Sequence, residues 1–420
     1  ITQGHGDGAA GHRRTAVDMN RALFPALRRT VNGFPAAYLD APGGTQLPET
    51  VINAMAEAAR RGLCNTGGYF PPSAEAEEIV SAARLAAADL LGCTPREVVF
   101  GQNMTSLTYA VSRTLSRSWE PGSNIVLSRS DHDGNVTPWI QAAEDRGVQV
   151  RWLDIDPRDG CRHDLSRLHQ VLDERTRLVA ATLASNATGT LTDVKGIVDG
   201  AHAAGALTYL DAVHFAPHRL VDVREIGSSF LVCSAYKFFG PHVGLLYGDE
   251  RILDSHAHFR LRPTPAIGPE AWEPGTQPYA HLAGITAAVD YIASLGAGHS
   301  RRARLVDAFG RIGEHEAALA SRFLSRLGDA DGFRIVGVHG VDGRTPTFAL
   351  DIKRVSPHAV ARKLGDQGIF VWSGHFYAWE LVHRLGLDKK GLLRVGAVHY
   401  NSEEEVDRFA DALVQCLHSG

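Results

Sequence analysis

From about residue 45 to residue 290, short apolar runs rich in β-branched residues alternate with stretches of helical period. The runs are VVF at 98–100, NIVLS at 124–128, VQVRWLDI at 148–155, RLVAATLAS at 177–185, ALTYLDAV at 206–213, FLVCSAY at 230–236 and VGLLYG at 243–248. Repetition of strand and helix predicts an α/β fold, with a parallel or mostly parallel sheet covered on both faces by helices. Beyond residue 300 the pattern changes to one long amphipathic helix, then strands near TPTFALDI, GIFVWSG and LLRVGAVHY around a short helix. That change of register predicts a smaller C-terminal α+β domain. The boundaries expected are an N-terminal segment at 1–44, a large domain at 45–295 and a small domain at 296–420. The Pro-rich stretch 260–278 reads as a long loop, and the closing helix as one capped by Asn401 or Ser402.

The 420 residues are about three times a typical single domain, in keeping with two units. A net charge of -4 leaves no basic footprint for nucleic acid or anionic lipid, which favours small-molecule chemistry. Apolar runs end well short of a membrane span. Five scattered cysteines without a C-x-x-C pair suggest neither a disulfide framework nor a thiolate zinc site, and point to a reducing cytoplasm. Residues 1–12 read as a Gly-rich lead-in without a signal sequence. The G-x-G-x-x-G at Gly6–Gly11 follows no strand and is set aside as a dinucleotide fingerprint. The twenty histidines form no H-E-x-x-H, and no metal is expected.

Only six of the 43 basic residues are lysines, so each can be weighed. Lys237 follows an apolar strand and precedes a Gly-Pro turn. Desolvation there lowers an ammonium pKa and exposes a neutral amine, the form that condenses with an aldehyde. Asp211 ends a buried strand at the edge where α/β folds place ligands. A buried carboxylate needs a cationic partner, and the pyridinium of pyridoxal 5'-phosphate is one. Thr105 and Ser106 open a helix after strand VVFG and, with Ser234, suit a phosphate. S-x-x-K at Ser234–Lys237 also marks serine hydrolases, but those need a K-T-G partner that this chain lacks.

The ordered set D-A-V-H at 211–214, S-A-Y-K at 234–237, S-N-A-T-G-T at 185–190 and G-T-Q at 275–277 resembles the class V aminotransferases, in their cysteine desulfurase-like branch. The resemblance implies a fold type I pyridoxal phosphate enzyme. By it, Lys237 forms the Schiff base, Asp211 pairs with the ring nitrogen, and His214 and Asn186 lie near the phenolate oxygen. Thr105, Ser106, Ser234 and Tyr236 belong to the cofactor surroundings. Thr276 matches a threonine that reaches a neighbour's phosphate, implying a homodimer with shared sites. Arg394 matches the arginine that grips the substrate carboxylate, with His375 and Tyr377 nearby.

The chain also departs from the desulfurase pattern. Where those enzymes place a sulfur-relaying cysteine, this chain has SGHFYA with Tyr377, and a phenol cannot carry a persulfide. Tyr236 stands where a histidine usually precedes the lysine, and His132 and Asp133 replace the H-H of the ring-stacking region. Both are candidate catalytic residues, His132 as an acid or base, and spacing leaves open which of the two faces the ring; Asp133 matches the stacking position if no gap intervenes. The N-terminal segment, residues 65–72 and the loops near Trp272 and Tyr377 are expected to wall the pocket. The reaction expected is C–S β-lysis of an L-cysteine S-conjugate. Decarboxylation-coupled oxidative deamination is the alternative, with transamination or racemisation behind it and a non-catalytic binding role last.

Overall fold

The computed structural model describes residues 19–328 and 331–418. The expected lead-in and its glycine motif lie outside the described residues. Seven strands form the large sheet: β1 (Val98–Gly101), β2 (Asn124–Ser128), β3 (Gln149–Leu153), β4 (Thr176–Thr182), β5 (Leu207–Asp211), β6 (Phe230–Ser234) and β7 (Gly244–Gly248). Their spatial order is β1-β7-β6-β5-β4-β2-β3. β7 runs antiparallel to both neighbours, while the other pairings are parallel.

The runs are apolar without alternation because each strand is buried on both sides. Along β4, Leu178 and Ala180 pack into one core with the helices Met104–Ser116 and Thr137–Arg146. Val179 and Ala181 point to the opposite core, with the helices Pro71–Leu91, Val194–Ala203 and Tyr279–Ser294. Successive side chains thus serve opposite layers, as a period of two demands.

A second sheet contains β8 (Phe333–Val336), β9 (Thr347–Ile352), β10 (Trp372–Gly374) and β11 (Leu392–Gly396), in the order β8-β9-β11-β10 and antiparallel throughout. Its core is closed by the helices Arg301–Leu327, Pro357–Asp366 and Glu403–His418. Ala37–Tyr38 pairs in parallel with Ile369–Phe370, so Ala37 and Leu39 enter this core from far upstream in the chain.

Two local expectations need correction, and one open choice narrows. The strand expected over 230–236 ends at Ser234, and Ala235–Lys237 is a single 3-10 turn. The run 148–155 divides into β3 and a separate pair at Ile155–Asp156. The last helix starts at Glu403, where Ser402 Oγ accepts from the Glu405 N–H at 3.4 Å, so Ser402 rather than Asn401 caps it. Among the described residues no helix is long and apolar enough to cross a membrane.

Candidate active site

β4, β5 and β6 end side by side, and the chain leaving each of them lines one cavity of about 590 Å³. After β6 the chain is pinned by Phe238 and Phe239, both fully buried. Phe239 takes a left-handed φ of +66°, and Gly240 then passes so close to Ala235 that a Cβ would sit 2.9 Å from that methyl group. The upstream segment docks onto this turn: Thr45 N–H donates to the Tyr236 carbonyl at 3.0 Å, and Phe239 N–H to Thr45 Oγ1 at 2.8 Å. Lys237 is thereby aimed into the cavity, its Nζ donating to the Pro42 carbonyl.

Burial pulls the Lys237 amine down to about 7; Arg394 adds to the shift, while Asp40 and Asp211 oppose it. The amine thus loses its proton near neutrality. Asp211 lines the same cavity and accepts from the Val213 N–H at 2.7 Å. Burial pushes its carboxyl up to about 7, against the pull of that N–H and of Lys237. A cationic N–H facing it would restore the carboxylate.

The helix Met104–Ser116 opens onto the same cavity. Asn103 caps it by accepting from the Ser106 N–H at 2.9 Å, and Ser234 Oγ accepts from the Met104 N–H at 2.9 Å. Thr105, Ser106 and Ser234 therefore gather at a helix N-terminus, a favourable seat for a phosphate. His214 is buried, with Nε2 3.1 Å from Thr345 Oγ1, and burial holds it neutral. Asn186 donates to the Phe376 carbonyl at 2.8 Å, and its buried Oδ1 has no partner.

His132 lines the cavity, stacked on Tyr377 with centroids 5.4 Å apart and planes at 26°. Burial, helped by Lys237 and Arg394, lowers its pKa to about 4. Asp133 turns away to accept from Thr137 Oγ1 at 2.9 Å. The open choice between the two thus falls to His132, against the ungapped match to Asp133.

Arg394 on β11 is buried, but its fork is already engaged. NH1 donates to the Asn186 carbonyl at 3.0 Å and NH2 to Asp40 Oδ1 at 2.8 Å, leaving Nε without a partner. Two of its five N–H groups are thus taken, and a carboxylate bound across NH1 and NH2 would compete with Asp40. Tyr377 and His375 stand on the loop after β10, outside the cavity wall, and Tyr377 is 64% exposed. Thr276 is also remote from the central wall: it is exposed and lines an adjoining cavity with Ser106 and His242. The expectation for residues 65–72 and Trp272 fails within one chain. Tyr69 and Phe70 project outward, and Trp272 belongs to the adjoining cavity.

Sequence reading passed over Asp131, which is buried and accepts from the Thr182 N–H at 2.9 Å and the Asn135 amide at 2.6 Å. Burial and then the charge of Asp211 push it upward, so two carboxyls compete for protons under one site. It also missed His242, stacked on Tyr236 at 4.7 Å and 6°, and the buried pair His218 and Glu316 at 2.9 Å, whose histidine abuts His214. The H-x-x-x-H spacing of 214 and 218 was the available signal for that pair.

The aminotransferase class-V family model matches residues 37–409. A cysteine desulfurase of Pectobacterium carotovorum is 31% identical over 96% of this chain and 98% of its own length. An aminotransferase-like protein of Gibberella zeae is 30% identical over 96% and 98%. Among solved structures, the apo cysteine desulfurase of Thermococcus onnurineus superposes with a TM-score of 0.84 at 25% identity, covering 94% of this chain and 99% of that one. The donor set fits the cofactor of this family: a lysine amine neutral near pH 7, a buried carboxyl short of a cationic partner, hydroxyls at a helix start and an orphaned Asn186 oxygen. Its seat here would be made by Lys237, Asp211, Thr105, Ser106 and Ser234. The protein is an enzyme of fold type I that uses pyridoxal 5'-phosphate, and the chain belongs to the class V aminotransferase family, alongside the cysteine desulfurases.

Proposed function

We propose that this enzyme cleaves the C–S bond of an L-cysteine S-conjugate and forms no protein persulfide. One observation carries the reading: the cavity around Lys237 is lined by no cysteine, and the loop that supplies the desulfurase thiol offers the phenol of Tyr377. Sulfur then leaves still bearing its substituent. The balance is one S-conjugate and one water giving thiol, pyruvate and ammonium.

Bound pyridoxal 5'-phosphate supplies an electron sink for the α-carbon. Lys237, neutral near pH 7, takes the α-proton at Nζ. Asp211 keeps the ring nitrogen protonated. Arg394 binds the carboxylate in exchange for Asp40, and the neutral ring of His132 covers the site beneath Tyr377. Thr276, exposed on a single chain, is assigned to the site of a second copy in a homodimer. The test is to incubate the holoenzyme with cysteine and S-substituted cysteines while following thiol, pyruvate, ammonia and carbon dioxide. Thiol and pyruvate in equal amounts are expected; their absence overturns the reading.

A second reading is supported by the occupied fork of Arg394. If Asp40 stays in place, the carboxylate is free to stand across the ring and be lost. Carbon dioxide without pyruvate in the same assay selects decarboxylation, and oxidative deamination further requires dioxygen as the two-electron acceptor, read as its consumption in step with carbon dioxide.

A further inference from the structure

A second cavity, of about 460 Å³, adjoins the first across the stacked rings of Tyr236 and His242, which line both. The segment 40–44 runs along the boundary. Pro42 lines the central cavity and accepts from Lys237 Nζ, while Gly43 and Gly44 line the second. The residue that accepts from the reacting amine is thus the chain neighbour of one that lines this space.

The walls differ in character from those of the central cavity. Tyr38, Phe370 and Trp372 supply rings, and Leu47, Ile369 and Val371 supply aliphatic surface. Tyr38 and Phe370 meet edge to face at 4.9 Å, and Trp372 is 58% exposed. The one charged side chain, Asp40, is committed to Arg394 at 2.8 Å. Small residues keep the space open. A Cβ on Gly365 would meet nothing within 4 Å, and one on Gly44 would come into ordinary contact with the Tyr236 ring at 3.4 Å. A ring-lined space whose charge is already neutralised gains most from an apolar occupant.

We propose that this cavity is a substrate subsite for an aryl or bulky apolar group carried on the substrate sulfur, and that it selects which S-conjugates the enzyme accepts. The inference rests on the β-lyase reading, since only a conjugate has a group to place there. Cysteine itself ends at its sulfur within the central cavity.

The test titrates the holoenzyme with S-methyl-L-cysteine and S-benzyl-L-cysteine, reading affinity from the cofactor absorbance and measuring thiol and pyruvate on the same samples. The benzyl compound is expected to bind about ten-fold tighter or better. Gly365→Phe fills the open space and should erase that advantage while leaving the methyl compound within about two-fold; Trp372→Ala should weaken the benzyl compound alone. Equal affinity for the two compounds in the unaltered enzyme, or equal weakening of both by Gly365→Phe, overturns the subsite. A benzyl preference with no thiol or pyruvate from either compound supports the subsite and overturns the lyase reading instead.

Discussion

Lys237, Asp211 and Thr182 stand at or just beyond the ends of three adjacent parallel strands, and the β-ladder sets their spacing. Phe376 and Tyr377 stand on a loop of the smaller sheet, both in the left-handed region at φ +57°, with Tyr377 open to solvent. The first region holds buried titratable groups against a rigid frame. The second stores backbone strain, about 1–2 kcal/mol for each non-glycine residue so placed, and besides the stack on His132 it is tied to the neighbouring elements through its carbonyls and the Phe376 ring. The Tyr377 carbonyl accepts from the Asp133 N–H at 2.6 Å, the Phe376 carbonyl accepts from Asn186, and the Arg394 guanidinium lies 4.6 Å over the Phe376 ring. The strand ends carry the groups that suit the cofactor, whereas the proposed reading gives the choice of substrate to the loop and the second cavity.

The largest expected effect tests the strand-end region. Lys237→Ala should lower kcat about 10⁴-fold and abolish the yellow absorbance of the holoenzyme, both readable in one cuvette. Asp211→Asn keeps the shape but removes the carboxylate facing the ring nitrogen, and kcat should fall about 100-fold with the cofactor still bound.

The next effect is a pH dependence. Apoenzyme takes up cofactor through the neutral Lys237 amine, so the rate should rise about ten-fold from pH 6 to pH 8, with a midpoint near 7 where an exposed lysine would titrate at 10.5. The same shift sets a sign for stability. The folded chain binds fewer protons than the unfolded one between about 7 and 10.5, so through this group apoprotein stability rises with pH across that window. A flat stopped-flow profile would contradict the burial argument.

Smaller effects test the loop. Tyr377→Gly loses the stack on His132 but relieves a left-handed φ, so thermal unfolding should shift by less than about 1 kcal/mol of stability. The preference among S-conjugates should nevertheless change by a few-fold. The smallest effect expected is none: serine at all three of Cys64, Cys93 and Cys161, or thiol alkylation, should leave turnover unaltered. Selective loss of activity on alkylation would restore a persulfide route.

Much of the strand-end region was legible beforehand because its constraints are local. An apolar run that must be buried on both faces, followed by a polar residue at its end, places Asp211 on an inward edge. Scarcity of lysine made Lys237 conspicuous. The closing helix, the large sheet and the strands of the smaller domain follow from periodicity in the same way, whereas the antiparallel pairing of the latter does not.

Contacts between distant segments were not legible. Asp40 lies 354 residues from Arg394, and nothing in LLRVGAVHY announces that its guanidinium is already paired. Whether His132 or Asp133 faces the cavity depends on a hydrogen bond from the Thr137 hydroxyl to the Asp133 carboxylate, which spacing in the sequence cannot show. By itself the chain determined its layered α/β architecture and the residue types that suit one cofactor, because burial and period act over a few residues. Tertiary structure alone decided the engaged arginine, the carboxyl pair of Asp131 and Asp211, and the ring-lined second cavity. Those features come from desolvation and packing between elements that the chain brings together only when folded.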